Sequence, residues 1–203
     1  TGNGQNRNIT IASDKKPSLT WIKQRVDGTL AWNVWTHAYV GFDGDPDSFL
    51  VTNTTALISA DQGTSGTFTG APSATALPLS AYANVNANTK TYVGYAWSMN
   101  GGSNSTNDDG SVDSEVDANA TVGQSIVAWT GTNDSWGNAI TVGHGLGAVP
   151  HFIIAKQLTG NADEWQVYHH AVGPGNGSTA AHSSLVLNST NALYSNQSYK
   201  GFG

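Results

Sequence analysis

The chain has 203 residues, a formal net charge of −6 and a pI near 5.3, and its eight Lys and Arg form no cluster larger than Lys15-Lys16. Nucleic acid is therefore excluded as the expected partner. There is no cysteine, which excludes a disulfide framework and a thiolate metal site, and no apolar run approaches the ~18 residues of a membrane-spanning helix, so no membrane insertion is expected.

Charged residues are only 11% of the chain, which is rich in Gly, Thr, Ser, Asn and Ala. The expected surface is polar but uncharged, and Thr1 does not open a signal peptide. In chain order, the β-branched run Ile9-Thr10-Ile11 predicts a first strand, ended by Asp14-Lys15-Lys16-Pro17. From Leu19 to Gln24 and again at Trp32 and Val34, side chains alternate about the turn Asp27-Gly28, which predicts a hairpin. A turn-rich loop with Asp43, Asp45 and Asp47 leads to a strand over Ser48 to Asn53. The Gly/Ser/Thr-rich passage from Gln62 to Pro78, holding Phe68, reads as an edge strand or a loop. In Thr91 to Ser98, Val93, Tyr95 and Trp97 line one face of a strand and Tyr92 and Ala96 the other. No segment carries a capped 3.6-residue apolar period, so the regular structure is expected to be β.

The segment from Met99 to Gly123 is poor in apolar residues and holds five of the fourteen acidic side chains, which predicts an extended connection. A strand over Ser125 to Gly131 follows, and then the Gly-rich turn Gly143 to Gly147 joins a stretch that has been met before.

That stretch, Pro150 to Ala171, repeats Pro17 to Ala38 without a gap, at a constant offset of 133 positions (17 to 150, 37 to 170). The offset pairs Pro17 with Pro150, Lys23 with Lys156, Trp32 with Trp165, Val34 with Val167 and His37 with His170. Ser48 to Leu57 realigns with Ser183 to Leu193 after a small insertion, and Thr1-Gly2 and Ile9-Thr10-Ile11 echo Thr130-Gly131 and Ile140-Thr141-Val142. A unit of about 130 residues has the size of a domain rather than of a solenoid repeat. The expected organisation is all-β: tandem antiparallel β-sandwiches of jelly-roll or lectin-like type, with repeat 1 over 1–99, an acidic Gly/Ser linker over 100–123 and an incomplete repeat 2 over 124–203. The missing counterparts of Ser125 to Trp129 and of Thr91 to Ser98 imply a window on a longer array, or neighbouring chains that supply strands. Trp32, Val34, Trp165 and Val167, with Lys23 and Lys156, are the expected structural anchors of the repeat.

The succession Asp108 to Gly131, Thr141 to Lys156, Trp165 to His169 and Leu187 to Thr190, with Asn88 to Ser98 closing the first copy, resembles tandem domains in structural proteins of tailed bacteriophages, especially of marine and cyanobacterial hosts. The resemblance covers nearly the whole chain. It implies β-sandwich domains in virion fibres, tail appendages or capsid decorations, and brings no catalytic motif with it. Repeat 1 has Ala12 to Ser18 where repeat 2 has Gly143 to His151, so the Gly-rich turn is not common to both copies.

Candidate chemistry is sparse. No G-x-S-x-G occurs, and His37 and His170 recur with the repeat, which favours a structural role near a strand end over a place in a nucleophilic triad. Of His169, His170 and His182, the first two are adjacent on a strand and are expected to point to opposite faces rather than at one ion. Calcium is the more reasonable ion, with hard oxygen ligands at Asp43, Asp45 and Asp47 in one loop and Asp108, Asp109 and Asp113 in another, although neither has EF-hand spacing and a solvated acidic loop is the plain alternative. The Gly143 to Gly147 turn lacks the Lys and following helix of a phosphate-binding loop and reads as a tight turn. Trp35, Trp129, Trp136 and Tyr168 are the aromatics expected to be partly exposed and so open to stacking on a sugar ring. The expectation is a non-enzymatic structural protein of a virion, extracellular, without a cofactor, assembled with itself or with other virion proteins. A host-surface glycan is a further partner to consider, and the rival reading is a carbohydrate-binding, lectin-like module of an adhesin or of a secreted hydrolase.

Overall fold

The computed structural model describes residues 1–12, 14–26, 29–38, 46–58, 66–132, 140–172 and 183–194. In chain order the elements are β1 (Arg7–Thr10), β2 (Leu19–Gln24), β3 (Asn33–Thr36), β4 (Leu50–Val51), β5 (Ala76–Leu79), α1 (Ala83–Asn86) and β6 (Tyr92–Trp97). They continue with β7 (Ser105–Asn107), β8 (Ser114–Asn119), β9 (Gln124–Trp129), β10 (Phe152–Ala155), β11 (Gln166–His169) and β12 (Leu185–Val186). All strand pairing within the sheets is antiparallel, and the fold is all-β of sandwich type.

Alternation in β2 decides which way the main sheet faces. Thr20, Ile22 and Gln24 are buried while Leu19, Trp21 and Lys23 are half-buried, the period-2 pattern of a strand with one face on the core. In the order β4-β3-β2-β6, Thr20 lies opposite Trp35 and Ile22 opposite Asn33, so these share the inner face. There the fully buried Trp35 meets the equally buried Phe68 edge to face, with ring centroids 5.3 Å apart. Burying each such aromatic stabilises the fold by ~2–3 kcal/mol. Leu77 and Leu79 of β5 and Ile9 of β1 complete this cluster, and Phe68 bridges to Leu79. The passage read as an edge strand or a loop thus contributes both Phe68 and Leu77 to the core.

One helical turn interrupts the β structure. In α1, Val85 is fully buried, and the amide of Asn86 donates to the Gln5 and Ser80 carbonyls, which ties the start of the chain to the turn before β6. The Tyr92 hydroxyl donates to the Ala83 carbonyl and accepts from the Ala87 amide, both at 2.7 Å, so α1 is latched onto β6. Gly2 lies so close under this turn that a Cβ on it would collide with the Ala87 carbonyl.

The duplication is reproduced in backbone hydrogen bonding. Leu19 to Ile22 pair with Thr36 to Asn33, and Phe152 to Ala155 pair with His169 to Gln166, the same register moved by the sequence offset. His37 donates to the Ser18 carbonyl as His170 donates to that of His151, and Thr52 donates to Trp32 as Leu187 donates to Trp165. The echo of β1 is weaker, since Val142 makes only a single parallel bridge to Val112 where β1 pairs with β5 over four residues.

The two copies are not separate bodies on a string. Trp165 is buried in the same cluster as Ile22, Val34, Trp35 and Leu50, with Ile154 and Leu158 packed beside it. Its indole Nε1 donates to the Val51 carbonyl, the Ile58 amide donates to the Leu158 carbonyl, and Lys156 Nζ donates to the Thr55 carbonyl. Partial burial lowers the Lys156 pKa, against the smaller opposing pull of Asp163.

Residues 100–123 correct the expectation of a linker. Their acidic, Gly/Ser-rich composition hides an alternation in β8, where Ser114 and Val116 are buried, and β7-β8-β9 form a three-stranded sheet. Asp117 is buried as well, because it has a partner: its Oδ1 accepts the Asn100 amide at 2.8 Å, and its Oδ2 lies 3.3 Å from Nε2 of the buried His37. The Gly-rich turn seats on this sheet, with Gly145 and Gly147 at φ near +70° and the Gly143 carbonyl accepting from Ser114 Oγ.

Candidate functional site: an exposed aromatic face

The outer face of the main sheet carries Leu19, Trp21 and Lys23 from β2, opposite Trp97, Tyr95 and Val93 of β6. Residues directly opposite in an antiparallel pair project to the same side, so two alternating sequences bring three large aromatic rings together. Trp32, at the entry to β3, adds a fourth. Ring centroids lie 6.2 Å apart for Trp21–Trp32 and for Trp21–Trp97, 5.6 Å for Trp32–Tyr95 and 6.0 Å for Tyr95–Trp97. Tyr95 is 52% exposed, and the three tryptophans are half-buried. Trp32, Tyr95 and Trp97 tilt by only 34° and 33° from one ring to the next, so they form a shallow strip, with Trp21 set edge-on to Trp97 as its support. Such a strip offers π-faces to the C–H groups of a sugar ring or to apolar side chains, with Lys23 as the cation on the same face.

Several sequence expectations are redistributed. Trp32, expected in the core like Trp165, belongs instead to this outer strip. The two residues have equivalent backbones, but the sheet of Trp165 lies against repeat 1, whereas the ring of Trp32 meets Trp21 and Tyr95. Trp35, expected to be partly exposed, is fully buried because it lies opposite Thr20 on the inner face. Val34 and Val167 are both buried, as repeat anchors should be. Lys23 and Lys156 are half-buried, on the aromatic face and at the contact between repeats respectively. Trp129 is 46% exposed and Tyr168 half-buried, while Trp136 lies outside the described residues.

Among the described residues the ion candidates do not assemble. Asp43, Asp45 and His182 lie outside the described residues, and Asp47 is half-buried before β4. Asp108, Asp109 and Asp113 are exposed; Asp109 is engaged locally, its amide and carboxylate both bonded to the side chain of Asn107. Among the described residues no three His, Asp or Glu side chains are grouped to hold a metal. His169 and His170 do not diverge as strand neighbours should. His170 falls in the turn after β11, so their rings stack at 4.8 Å, and His151 stacks on His170 at 4.2 Å. Of the surface depressions, one is lined by Ile11, Ala12, Pro17, Ala96, Trp97 and Ser98, and another runs along Gly143 to Pro150 beside Asp109.

Fold and face together define a sandwich-type all-β protein with a duplicated hairpin and an aromatic outer surface. The chain belongs to the family described as a domain of unknown function, DUF7483, whose model matches residues 1–201 and so takes in both repeats. No curated protein and no solved structure matches it.

Proposed function

We propose that the chain is a non-enzymatic structural unit of a tailed-phage virion, serving in a tail fibre, an appendage or a capsid-surface decoration. The observation that carries this reading is the register-preserving duplication with Trp165 of the second copy buried in the core of the first. A module that builds its core across copies grows by addition, as an extended virion component must, and needs no cysteine to hold it. Particles purified from the source host's lysate should yield peptides of this chain by mass spectrometry and bind a gold-labelled antibody against it at a fixed position. Recovery only in the particle-free fraction overturns the proposal.

The aromatic strip favours a second reading, contact with a glycan. Titrating an oligosaccharide panel while following tryptophan fluorescence should find a ligand whose affinity drops about tenfold in Trp32→Ala and in Tyr95→Ala, equivalent to ~1.4 kcal/mol. Trp129→Ala, on the separate three-stranded sheet, should leave it unchanged; equal loss in all three variants removes this reading.

A further inference from the structure

An asparagine followed by glycine is open to self-modification, because no Cβ on the second residue screens its amide nitrogen from the side chain of the first. The chain has three such pairs, Asn3-Gly4, Asn100-Gly101 and Asn176-Gly177. The last lies outside the described residues, and the fold treats the other two in opposite ways. In Asn3-Gly4 both reacting groups are engaged. The Asn3 Oδ1 accepts from the Gln5 amide and from Asn86 Nδ2, each at 3.1 Å, and the Gly4 amide donates to the Asn86 carbonyl at 2.8 Å. In Asn100-Gly101 neither group is engaged among the described residues. The Asn100 side chain is exposed and makes no hydrogen bond there, the Gly101 amide has no acceptor, and nothing lies within 4 Å of where a Gly101 Cβ would stand.

The backbone around Asn100 is held where the side chain is not. The Asn100 amide donates to Oδ1 of the buried Asp117 at 2.8 Å, and its carbonyl accepts from the Ser103 amide across a turn whose central residues, Gly101 and Gly102, have φ of +70° and +75°. A free side chain on a pinned turn can swing onto the next amide without unfolding anything. The same turn carries the chain from β6 of the main sheet into the β7-β8-β9 sheet, so what happens to residue 100 is felt where the two sheets meet.

We infer that Asn100 is a site of spontaneous deamidation, which ages the junction between the two sheets. The Gly101 nitrogen attacks Asn100 Cγ. The N–Cγ bond forms, the Cγ–Nδ2 bond breaks, and the side-chain amide leaves as ammonia with the Gly101 proton, closing a cyclic imide. Water then opens the ring at one of its two carbonyls, giving aspartate or, with the main chain rerouted through the former side chain, isoaspartate. Water is the only co-reactant. Either product places a new carboxylate close to that of Asp117, whose Oδ1 the amide of residue 100 holds, and the two like charges repel. Isoaspartate also adds a methylene to the main chain inside the turn. Both changes loosen the link between β6 and β8, and neither depends on the virion reading.

The test ages the full chain in mildly alkaline buffer and maps its peptides by mass spectrometry, reading the mass shift of an NH exchanged for an O and the fragments that mark isoaspartate. In the folded protein Asn100 should react at least about tenfold faster than Asn3, whose hydrogen bonds must open first. In the urea-unfolded chain Asn3 and Asn100 should react alike, which isolates the fold as the cause of the difference. Equal rates in the folded protein, or a lag at Asn100, overturns the inference. The aged protein should also exchange its β8 amides about threefold faster or more. Asn100→Gln, whose longer side chain closes the imide far more slowly, should keep its β8 protection under the same treatment. Unchanged β8 exchange in the aged native chain, or the same loss in Asn100→Gln, removes the ageing of the junction even where Asn100 itself is converted.

Discussion

Trp165→Ala is expected to destabilise the whole described chain, not repeat 2 alone, by about 3–5 kcal/mol, the cost of truncating a buried tryptophan. The side chain is 4% exposed, packs in one cluster with Ile22, Val34, Trp35 and Leu50, and donates its indole N–H to the Val51 carbonyl. Alanine removes the apolar area, leaves a cavity between the copies and strips the half-buried Val51 carbonyl of its donor, and these losses reinforce one another. Denaturant unfolding should show one cooperative transition in the native protein, and the variant should lower its midpoint for reporters in both halves, such as amide protection in β2 and in β11. If β2 keeps its full protection while β11 loses its own, the copies fold separately and the shared core has no energetic meaning. Trp165→Phe separates the contributions: it keeps most of the packing and loses the hydrogen bond, so its cost should be the smaller.

What was legible in the sequence follows from which signals are local. The hairpin β2–β3 and strand β6 are written in period-2 alternation, β9 in a short apolar run, and the register of β10–β11 could be predicted from β2–β3 because matched residues transmit a matched ladder. The sidedness of Trp32 and Trp35 was not legible. Both are tryptophans within one aromatic run, and which of them faces inward depends on Thr20 and Ile22 being the buried members of the partner strand. That the shared face of Trp21, Tyr95 and Trp97 is an outer one was likewise hidden, since β6 arrives some 70 residues after β2 and no local pattern sets how the two align. The sheet over residues 100–123 escaped for a different reason. Composition averages over the segment, whereas a strand needs only Ser114 and Val116 covered on one face and the partnered Asp117 on the other. Asp117 counted only as one of that segment's acidic side chains, because its partner His37 lies 80 positions away in the chain.

The His37–Asp117 contact should make stability depend on pH in a defined direction. Burial lowers the His37 pKa below the ordinary 6.5, outweighing the Ser18 carbonyl and the Asp117 carboxylate, which raise it, while Lys16 adds to the lowering. The unfolded chain therefore takes up a proton near pH 6.5 that the folded chain does not, and stability is lost as pH falls through 6.5 toward the folded value. Above that window the group contributes no slope. The melting temperature should accordingly drop between pH 7 and pH 5, and the drop should shrink in His37→Gln, which keeps a polar side chain but cannot titrate. Asp117→Ala should cost ~1–3 kcal/mol at pH 7, because it removes the acceptor of the Asn100 amide. Asp117→Asn retains the amide's acceptor and should recover much of that loss. Since Asn100 lies just after β6 and is bonded to Asp117 of β8, the cost should be felt at both, with faster amide exchange in β6 and in the β7-β8-β9 sheet. An unchanged pH profile in His37→Gln would assign the acid sensitivity to other groups and leave His37 as packing alone.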